Sequence, residues 1–392
     1  METLIELYDE RPLENVLGVE VFRPKRTVYI CPQDAARDAL LHKTLRSYFS
    51  HRGQQVELIF YKANVYDASA VLALLRSLLA RYNDCAIDIT GGTDAVLFAA
   101  GLLSAEAQIP VFTYSRRRNR FYNIQNAEFA EGLRCELHYR VEDFFLMAGG
   151  SVREGRVSNE LLSDYLDDFD PFFALYLRHR LDWTKIVTYL QRLSPGSPDG
   201  SYSLEAAGPY TVKGERGSRI EAPEEALREL EAIGFLRDLS IAPEQVSFCF
   251  RDGQIRAWLR DVGSVLETYV YKACLDTGLF DDVRLSVIVD WEGEEKKNAV
   301  SNELDVMCSR GVVPLFISCK TCDVKTEALN ELAVLRDRFG GQMARAAIVT
   351  AERGNIRMRN RASELGIRVI DLNDLKNRKL GAQLKACMNS RV

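Results

Sequence analysis

The sequence predicts an α/β protein in three parts, and two observations carry that expectation. Residues 27–115 alternate short apolar strands with helices, and residues 258–371 run helix, three strands, helix, strand, then helix and strand again. Between them lies a helix-rich stretch of different character. At 392 residues the chain is long enough for two or three domains, each with its own core. The expected boundaries are 1–148, 149–250 and 251–392.

In the first part, residues 1–25 read as a preamble with Pro12 and Pro24 near its ends. Thr27–Cys31 reads as a strand that leads through Pro32-Gln33-Asp34 into a helix reaching about Ser50. Gln55–Tyr61 is a strand, Asp67–Tyr82 a helix, Cys85–Ile89 a strand, and a further helix reaches about Ala107. Val111–Ser115 is the last strand expected, ahead of the basic run Arg116-Arg117-Arg118. This alternation builds a Rossmann-like parallel sheet, in which ligands sit at the carboxyl ends of strands and helix N-termini offer amides to anions. The turn Thr90-Gly91-Gly92-Thr93 lies at such an end. Its glycines allow a backbone to approach a phosphate, and Thr93 can cap the helix that follows. No G-x-G-x-x-G and no Gly-Lys-Ser/Thr is present, so it is neither a dinucleotide fingerprint nor a Walker A loop. A capped helix start explains the same four residues as well.

The middle part reads as helices at Leu161–Leu166 and Phe172–Leu193, then a loop at Ser194–Gly200 rich in Pro, Gly and Ser. A helix from about Pro223 to Ile233, Gly234-Phe235-Leu236 and the strand Val246–Phe250 follow, an order like that of a winged helix. Glu221, Glu224, Glu225, Glu229 and Glu231 make that helix acidic, which repels phosphates and favours a structural connector over a nucleic-acid reader.

The last part is organised around Asn302–Thr321, two β-rich runs about Arg310-Gly311. Glu303 and Asp305 are two apart on the first run, so their carboxylates leave one face, and Lys320 ends the second run beside them. A helix expected over Trp258–Thr277 carries Glu267, and Val283–Asp290 is an apolar strand. After the hairpin come a helix Val324–Phe339, a strand Ala344–Thr350, a helix near Asn355–Leu365 and a strand Arg368–Asp371. Carboxylates that hold Mg²⁺ or Mn²⁺ against a phosphate, with a lysine to orient water or neutralise charge on phosphorus, suit phosphodiester cleavage.

Composition narrows the class further. With 47% hydrophobic and 27% charged residues and no run of about 18 apolar ones, the chain reads as globular, with no membrane partner. Met1-Glu2-Thr3 opens an acidic, non-secretory N-terminus, so a cytoplasmic location is expected. Nine cysteines, many within apolar strands, read as reduced core residues. Cys319 and Cys322 form one C-x-x-C without the second pair or the histidines that zinc needs. The four histidines all precede residue 180, which argues against histidine chemistry in the last part. Net charge is −5, unevenly placed: 23 basic against 20 acidic residues from Arg251 onward, 28 against 36 before it. Arg345, Arg353, Arg357, Arg359 and Arg361 are placed to meet phosphates, or to line a solvated helix face.

The order and residues of the last part resemble the PD-(D/E)XK nuclease superfamily. There an Asp ends one strand, an acid two before a Lys ends the next, and a Glu often comes from the first helix; Asp305, Lys320 and Glu267 match these roles. Ser318 stands where the second acid is expected. Either Glu303 supplies that carboxylate, or the metal is held through Asp305, the Cys319 carbonyl and water. The opening Glu10-Arg11-Pro12-Leu13-Glu14-Asn15, the strand ending Tyr29-Ile30-Cys31-Pro32, and Asp88-Ile89-Thr90-Gly91-Gly92-Thr93 resemble a CARF domain, the cyclic oligoadenylate sensor of CRISPR-associated proteins. Together the two resemble the CARF-nuclease effectors of type III CRISPR defence. The resemblance implies a homodimer that binds cyclic tetra-adenylate across its two-fold axis, with Gln33, Thr90, Gly91, Gly92, Thr93 and Arg116 as effector-binding residues. It also implies a metal-dependent endonuclease, catalysed by Glu267, Glu303, Asp305 and Lys320 with Glu303, Asp305 and Cys319 on the metal, that cleaves single-stranded DNA or RNA or nicks duplex DNA. The alternative is a non-catalytic sensor whose nuclease domain is degenerate at Ser318. Arg37–His42 and Arg46–His51 also fit the Arg-x4-6-His spacing of HEPN ribonucleases, on what reads as the polar face of a sensor helix.

Overall fold

Thr3–Leu7 (β1) is buried along its whole length and pairs on both sides, so the segment expected as a preamble supplies the central strand of the first sheet. Five residues, Thr-Leu-Ile-Glu-Leu, are too few for a periodic signal, and tertiary pairing decides their state. The computed structural model describes residues 1–33, 35–155, 159–196, 202–214, 217–291 and 301–389; Asp34 and the end of the Ser194–Gly200 loop lie outside them. Helix α1 (Leu17–Phe22) leads to β2 (Arg26–Pro32), α2 (Ala35–His51) and β3 (Glu57–Ala63). Then come α3 (Ala68–Arg81), capped by Asp67, β4 (Cys85–Asp88), α4 (Asp94–Ala107), β5 (Val111–Ser115) and β6 (Arg120–Gln125). The sheet order is β3-β2-β1-β4-β5-β6, parallel except for β6. Strand β6 is an addition to the expectation: Arg116–Arg118 form the turn of a β5–β6 hairpin, closed by Asn119 at φ 50°. This is the doubly wound order, and its direction reverses between β1 and β4. The turn Thr90–Thr93 leaves the sheet at that reversal.

Glu6 and Asp88 face each other across β1 and β4, each 1% exposed, and Glu6 Oε1 and Asp88 Oδ2 have no hydrogen-bond partner among the described residues. Burial and then the neighbouring Asp88 push the Glu6 carboxyl well up, and burial pushes Asp88 up to about 7. The folded state therefore holds protons that the unfolded chain has released, so stability falls as pH rises through that window. Glu6→Gln is expected to reduce the drop in Tm between pH 6 and pH 9 by roughly 2–4 °C. Equal drops in both proteins, measured by calorimetry, would exclude the pair as its origin.

Helix α5 (Val141–Met147) joins the two sheets. Phe145 packs on Phe339 and Phe316 at ring-centroid distances of 4.8 and 6.4 Å, and one apolar cluster runs from α2 through α5 into the second sheet. Next, β7 (Ser151–Glu154) pairs with that second sheet, so the residues assigned to the connector contribute one strand beyond it. The connector itself consists of α6 (Leu166–His179), α7 (Trp183–Leu193), β8 (Glu205–Pro209), the hairpin β9 (Thr211–Lys213) with β10 (Arg219–Glu221), α8 (Glu224–Ala232), β11 (Leu236–Ile241) and β12 (Gln245–Phe250). Its antiparallel sheet β11-β12-β8 follows helix, strand, helix and two strands, the winged-helix-like arrangement expected. The carboxylates of α8 serve internal ties: Glu229 accepts from Arg178 at 2.9 Å, Glu224 from Tyr210 at 3.0 Å and Glu231 from the Leu239 amide at 3.0 Å.

The helix expected over Trp258–Thr277 is two helices, α9 (Gly253–Leu259) and α10 (Ser264–Asp276). Asp261 causes the break by accepting from the Gly263 and Ser264 amides at 3.2 and 2.8 Å, which starts a new helix. The rest follows the expected order: β13 (Asp282–Asp290), β14 (Ser301–Arg310), β15 (Val313–Lys320), α11 (Thr326–Gly340), β16 (Arg345–Thr350), α12 (Ile356–Glu364) and β17 (Ile367–Ile370); two helices beyond the expectation follow, α13 (Leu372–Lys376) and α14 (Leu380–Asn389). The sheet order is β17-β16-β15-β14-β13-β7. No helix among the described residues is long and apolar enough to cross a membrane.

Candidate active site and effector edge

The β14–β15 ladder runs from Arg310↔Val313 to Val306↔Ile317 and stops there. Beyond it β14 continues with β13 and β15 with β16, and the two strands part. The Asp305 carboxylate enters the gap. Its Oδ2 accepts from the Cys319 amide at 2.6 Å, the Ser318 hydroxyl at 3.1 Å and the Lys320 ammonium at 3.4 Å. An extended residue sends its N–H and C=O to the same edge, so the Cys319 carbonyl faces the gap as well. Ser318, in the place of the expected acid, thus serves as a donor that holds Asp305. Glu303 borders the same cleft and accepts from the Ser286 hydroxyl.

Above the gap, the first turn of α10 brings in Glu267. A Cβ on Gly263 would lie 2.6 Å from Glu267 Oε1, so glycine is what lets this carboxylate fold back over the helix start. The resulting cleft, about 120 Å³, is lined among others by Gln254, Trp258, Asp261, Glu267, Glu303 and Asp305. Burial, then Asp305, Asp261 and Glu303, push Glu267 up to about 8 against the pull of Lys320. Asp305 is raised by burial, which outweighs its cation and its donors. Burial alone would lower Lys320, but Asp305, Cys319 and Glu267 reverse that and keep it charged. The Cys319 thiol is pushed well up by burial and then by Asp305 and Glu267, which leaves only its carbonyl as an oxygen donor.

Among the described residues no three His, Cys, Asp or Glu side chains already converge as a ready-made ligand set. The donor chemistry nevertheless fits a hard divalent ion: Glu267, Glu303 and Asp305 share one cleft, burial and then the neighbouring carboxylates push Glu267 up, and Lys320 offsets only part of that charge. A divalent ion bound through Glu267 displaces its proton. If Glu267 is a metal ligand, Mn²⁺ affinity is expected to rise about tenfold per pH unit below 8 and to level above it, with nearly one proton released at pH 7. Calorimetry in buffers of different ionisation enthalpy measures that proton, and Glu267→Gln should release fewer protons than the wild type.

At the first sheet, the expected effector residues sit along the carboxyl edge. Gln33 is exposed just past β2. The Thr90 amide and hydroxyl both donate to Asp88, at 2.8 and 2.5 Å, and the Thr90 hydroxyl accepts from the Tyr114 amide at 2.9 Å. Gly92 donates to Asp9 at 3.1 Å. The expected cap is corrected: Thr93 leaves α4 uncapped, because its hydroxyl donates to the Val65 carbonyl at 2.6 Å. Arg116 lies at the seam between the sheets, paired with the buried Glu14 and donating to Gln342 of the second sheet's α11–β16 turn at 2.8 Å. Sequence reasoning missed Asp9, Asp261 and Ser286. An Asp two residues before Gly-Ser is a helix-start signal that would have revealed Asp261.

The remaining candidates separate clearly. His42 stacks on Phe60 at 3.7 Å and the exposed His51 meets Glu142 and Asp143, so both histidines of the Arg-x4-6-His spacings have their partners within the first domain. Arg359 pairs with Asp371, Arg361 with Glu364, and Arg345 donates to the Met343 and Ala344 carbonyls. Arg353 and Arg357 are exposed and form no ion pair among the described residues, one short loop beyond the Thr350 that pairs with Lys320.

Residues 256–385 match the family model described as Card1-like, endonuclease domain. The chain carries a Card1-like endonuclease domain. Over the full length its fold resembles protein VC1899 from Vibrio cholerae, with a TM-score of 0.74 and 19% identity, covering 99% of each chain. It also resembles Can2 from Sulfobacillus thermosulfidooxidans, solved in complex with cyclic tetra-adenylate, with a TM-score of 0.72 and 15% identity over 100% of both chains. No curated protein matches the chain. The architecture is thus that of VC1899 and Can2, a Rossmann-like domain followed by a connector and the domain that matches the Card1-like model.

Proposed function

We propose that the protein is a cyclic oligoadenylate-activated, divalent-metal-dependent endonuclease of PD-(D/E)XK type, cytoplasmic and homodimeric, acting in CRISPR antiviral defence. The observation that carries this reading is the Asp305 carboxylate in the parting of β14 and β15, beside Lys320 and beneath Glu267. Asp305, Glu267 or Glu303, and the Cys319 carbonyl would hold the metal. A bound Mg²⁺ or Mn²⁺ supplies Lewis acidity at the phosphate and a water of lowered pKa. Lys320, held charged by its neighbours, stabilises the negative charge that builds on phosphorus. Ser318 and the Cys319 amide fix the Asp305 rotamer. Glu267, protonated near neutral pH without metal, switches between a proton and a ligand role. Arg353 and Arg357 give an incoming strand phosphate contacts next to Lys320.

The reversal point between β1 and β4 suits an anionic ligand, since strand ends, the glycine pair and the start of α4 meet there. Can2, of like fold, binds cyclic tetra-adenylate, which supports that activator here. The exposed face of α4, with Phe98 62% and Leu102 40% accessible beside Gly101, offers an apolar surface for an isologous dimer. Arg116 ties Glu14, next to Gly91, to Gln342 of the nuclease sheet, a physical link by which loop position reaches the second domain. Ser318 in place of an acid favours a second reading, a sensor without catalysis. Cleavage of labelled single-stranded DNA, single-stranded RNA and supercoiled plasmid, with Mn²⁺ and with or without cyclic tetra-adenylate, separates the two. Dependence on both the ligand and Asp305 supports the gated nuclease, and retained ligand binding with no cleavage supports the sensor.

A further inference from the structure

Ser286 lies in the middle of β13 at φ 54°, in the left-handed region that costs a serine about 1–2 kcal/mol. Such an exception persists only where the surroundings over-determine it. It sits opposite Asp305, in the interval between the pairs Leu285↔Val306 and Val287↔Leu304. Both strands turn over at this interval. Leu285 and Val306 belong to the cluster that contains α10, whereas Val287 and Leu304, each two residues away, belong to the cluster on the opposite face with Met307. In a regular strand residues 303, 305 and 307 share one face, so Glu303 and Asp305 would point with Met307 away from α10 and Glu267. The turn-over is what brings Glu303 round to α10's side, and the Ser286 hydroxyl then holds it by a hydrogen bond. The Gly155 amide donates to the Ser286 carbonyl at 2.8 Å, and a Cβ at Gly155 would collide with the Ser286 hydroxyl, so the neighbouring strand end is shaped around this residue.

We propose that Ser286 is a positioning residue of the nuclease site: its left-handed backbone aims the carboxylates of β14 at α10, and its hydroxyl orients Glu303 as the acid that Ser318 does not provide. This rests on the nuclease reading above. Ser286→Gly removes the hydroxyl but suits the backbone, Ser286→Ala removes the hydroxyl and keeps the strain, and Ser286→Asn keeps a polar group and tolerates the left-handed region. Expected for Ser286→Gly are an unchanged or higher Tm, unchanged KM, and a loss of roughly 10–100-fold in kcat and in Mn²⁺ affinity. Ser286→Ala should show the same losses with a lower Tm, and Ser286→Asn should recover part of kcat. A purely structural serine predicts the reverse for the glycine variant, full activity at full stability, and that result overturns the proposal. Asp305→Ala is measured in parallel. If it stays active, the nuclease site itself is misassigned; if it is inactive while Ser286→Gly is not, only the role of Ser286 falls. Should the wild type cleave none of the substrates, Mn²⁺ titration still decides, since equal affinities for wild type and Ser286→Gly overturn the proposal.

Discussion

Asp305→Asn is expected to reduce cleavage by about 10³-fold or more, because it removes the charge that would hold the metal at a cost of several kcal/mol in the transition state. The asparagine oxygen can still accept from the Cys319 amide, so the strand gap keeps its shape and Tm should change little. Lys320→Met is expected to cost about 10²–10³-fold, the scale of one lost charge-stabilising donor. Effector affinity should be unchanged in both, because the two sites stand on different sheets. The measurement is single-turnover cleavage with saturating activator beside a binding titration of the same samples. Wild-type rates for Asp305→Asn would remove the site from this cleft.

Gly92→Val is expected to abolish activation. Gly92 holds φ 103°, which a β-branched residue does not adopt without strain, and a Cβ there would stand 3.0 Å from Leu7 Cβ on the central strand. The loop must shift, and the bond from its amide to Asp9 must lengthen or break. A loss of about 3 kcal/mol in loop geometry corresponds to more than 100-fold in affinity for cyclic tetra-adenylate. Calorimetric titration of the ligand reads this directly, with Mn²⁺ affinity at the nuclease cleft as the control that should not move. Wild-type affinity in this variant would place the effector elsewhere on the protein.

Much of this was legible in the chain, because periodicity of apolar residues and the positions of glycine and proline encode local state. The alternation of residues 27–115, the helix-strand order after Val283, the hairpin at Arg310-Gly311 and the place of Asp305 beside Lys320 follow from such signals, while Glu267 joins them through the resemblance to PD-(D/E)XK nucleases. Where the signal is short, tertiary contact decided instead. Five residues became the central strand β1 because β2 and β4 pair with it on both edges, and four became β7 because the edge of β13 was open to them. Arg116 reads as a basic residue at a strand end, yet its partners Glu14 and Gln342 are 102 and 226 residues away, distances along the chain that no local pattern spans. The sequence by itself determined which residue types stand at the strand ends and helix starts, since those are local facts. Only the tertiary structure decided how the carboxylates face one another: regular alternation points Glu303 away from Glu267, and a single left-handed residue on the neighbouring strand turns it back.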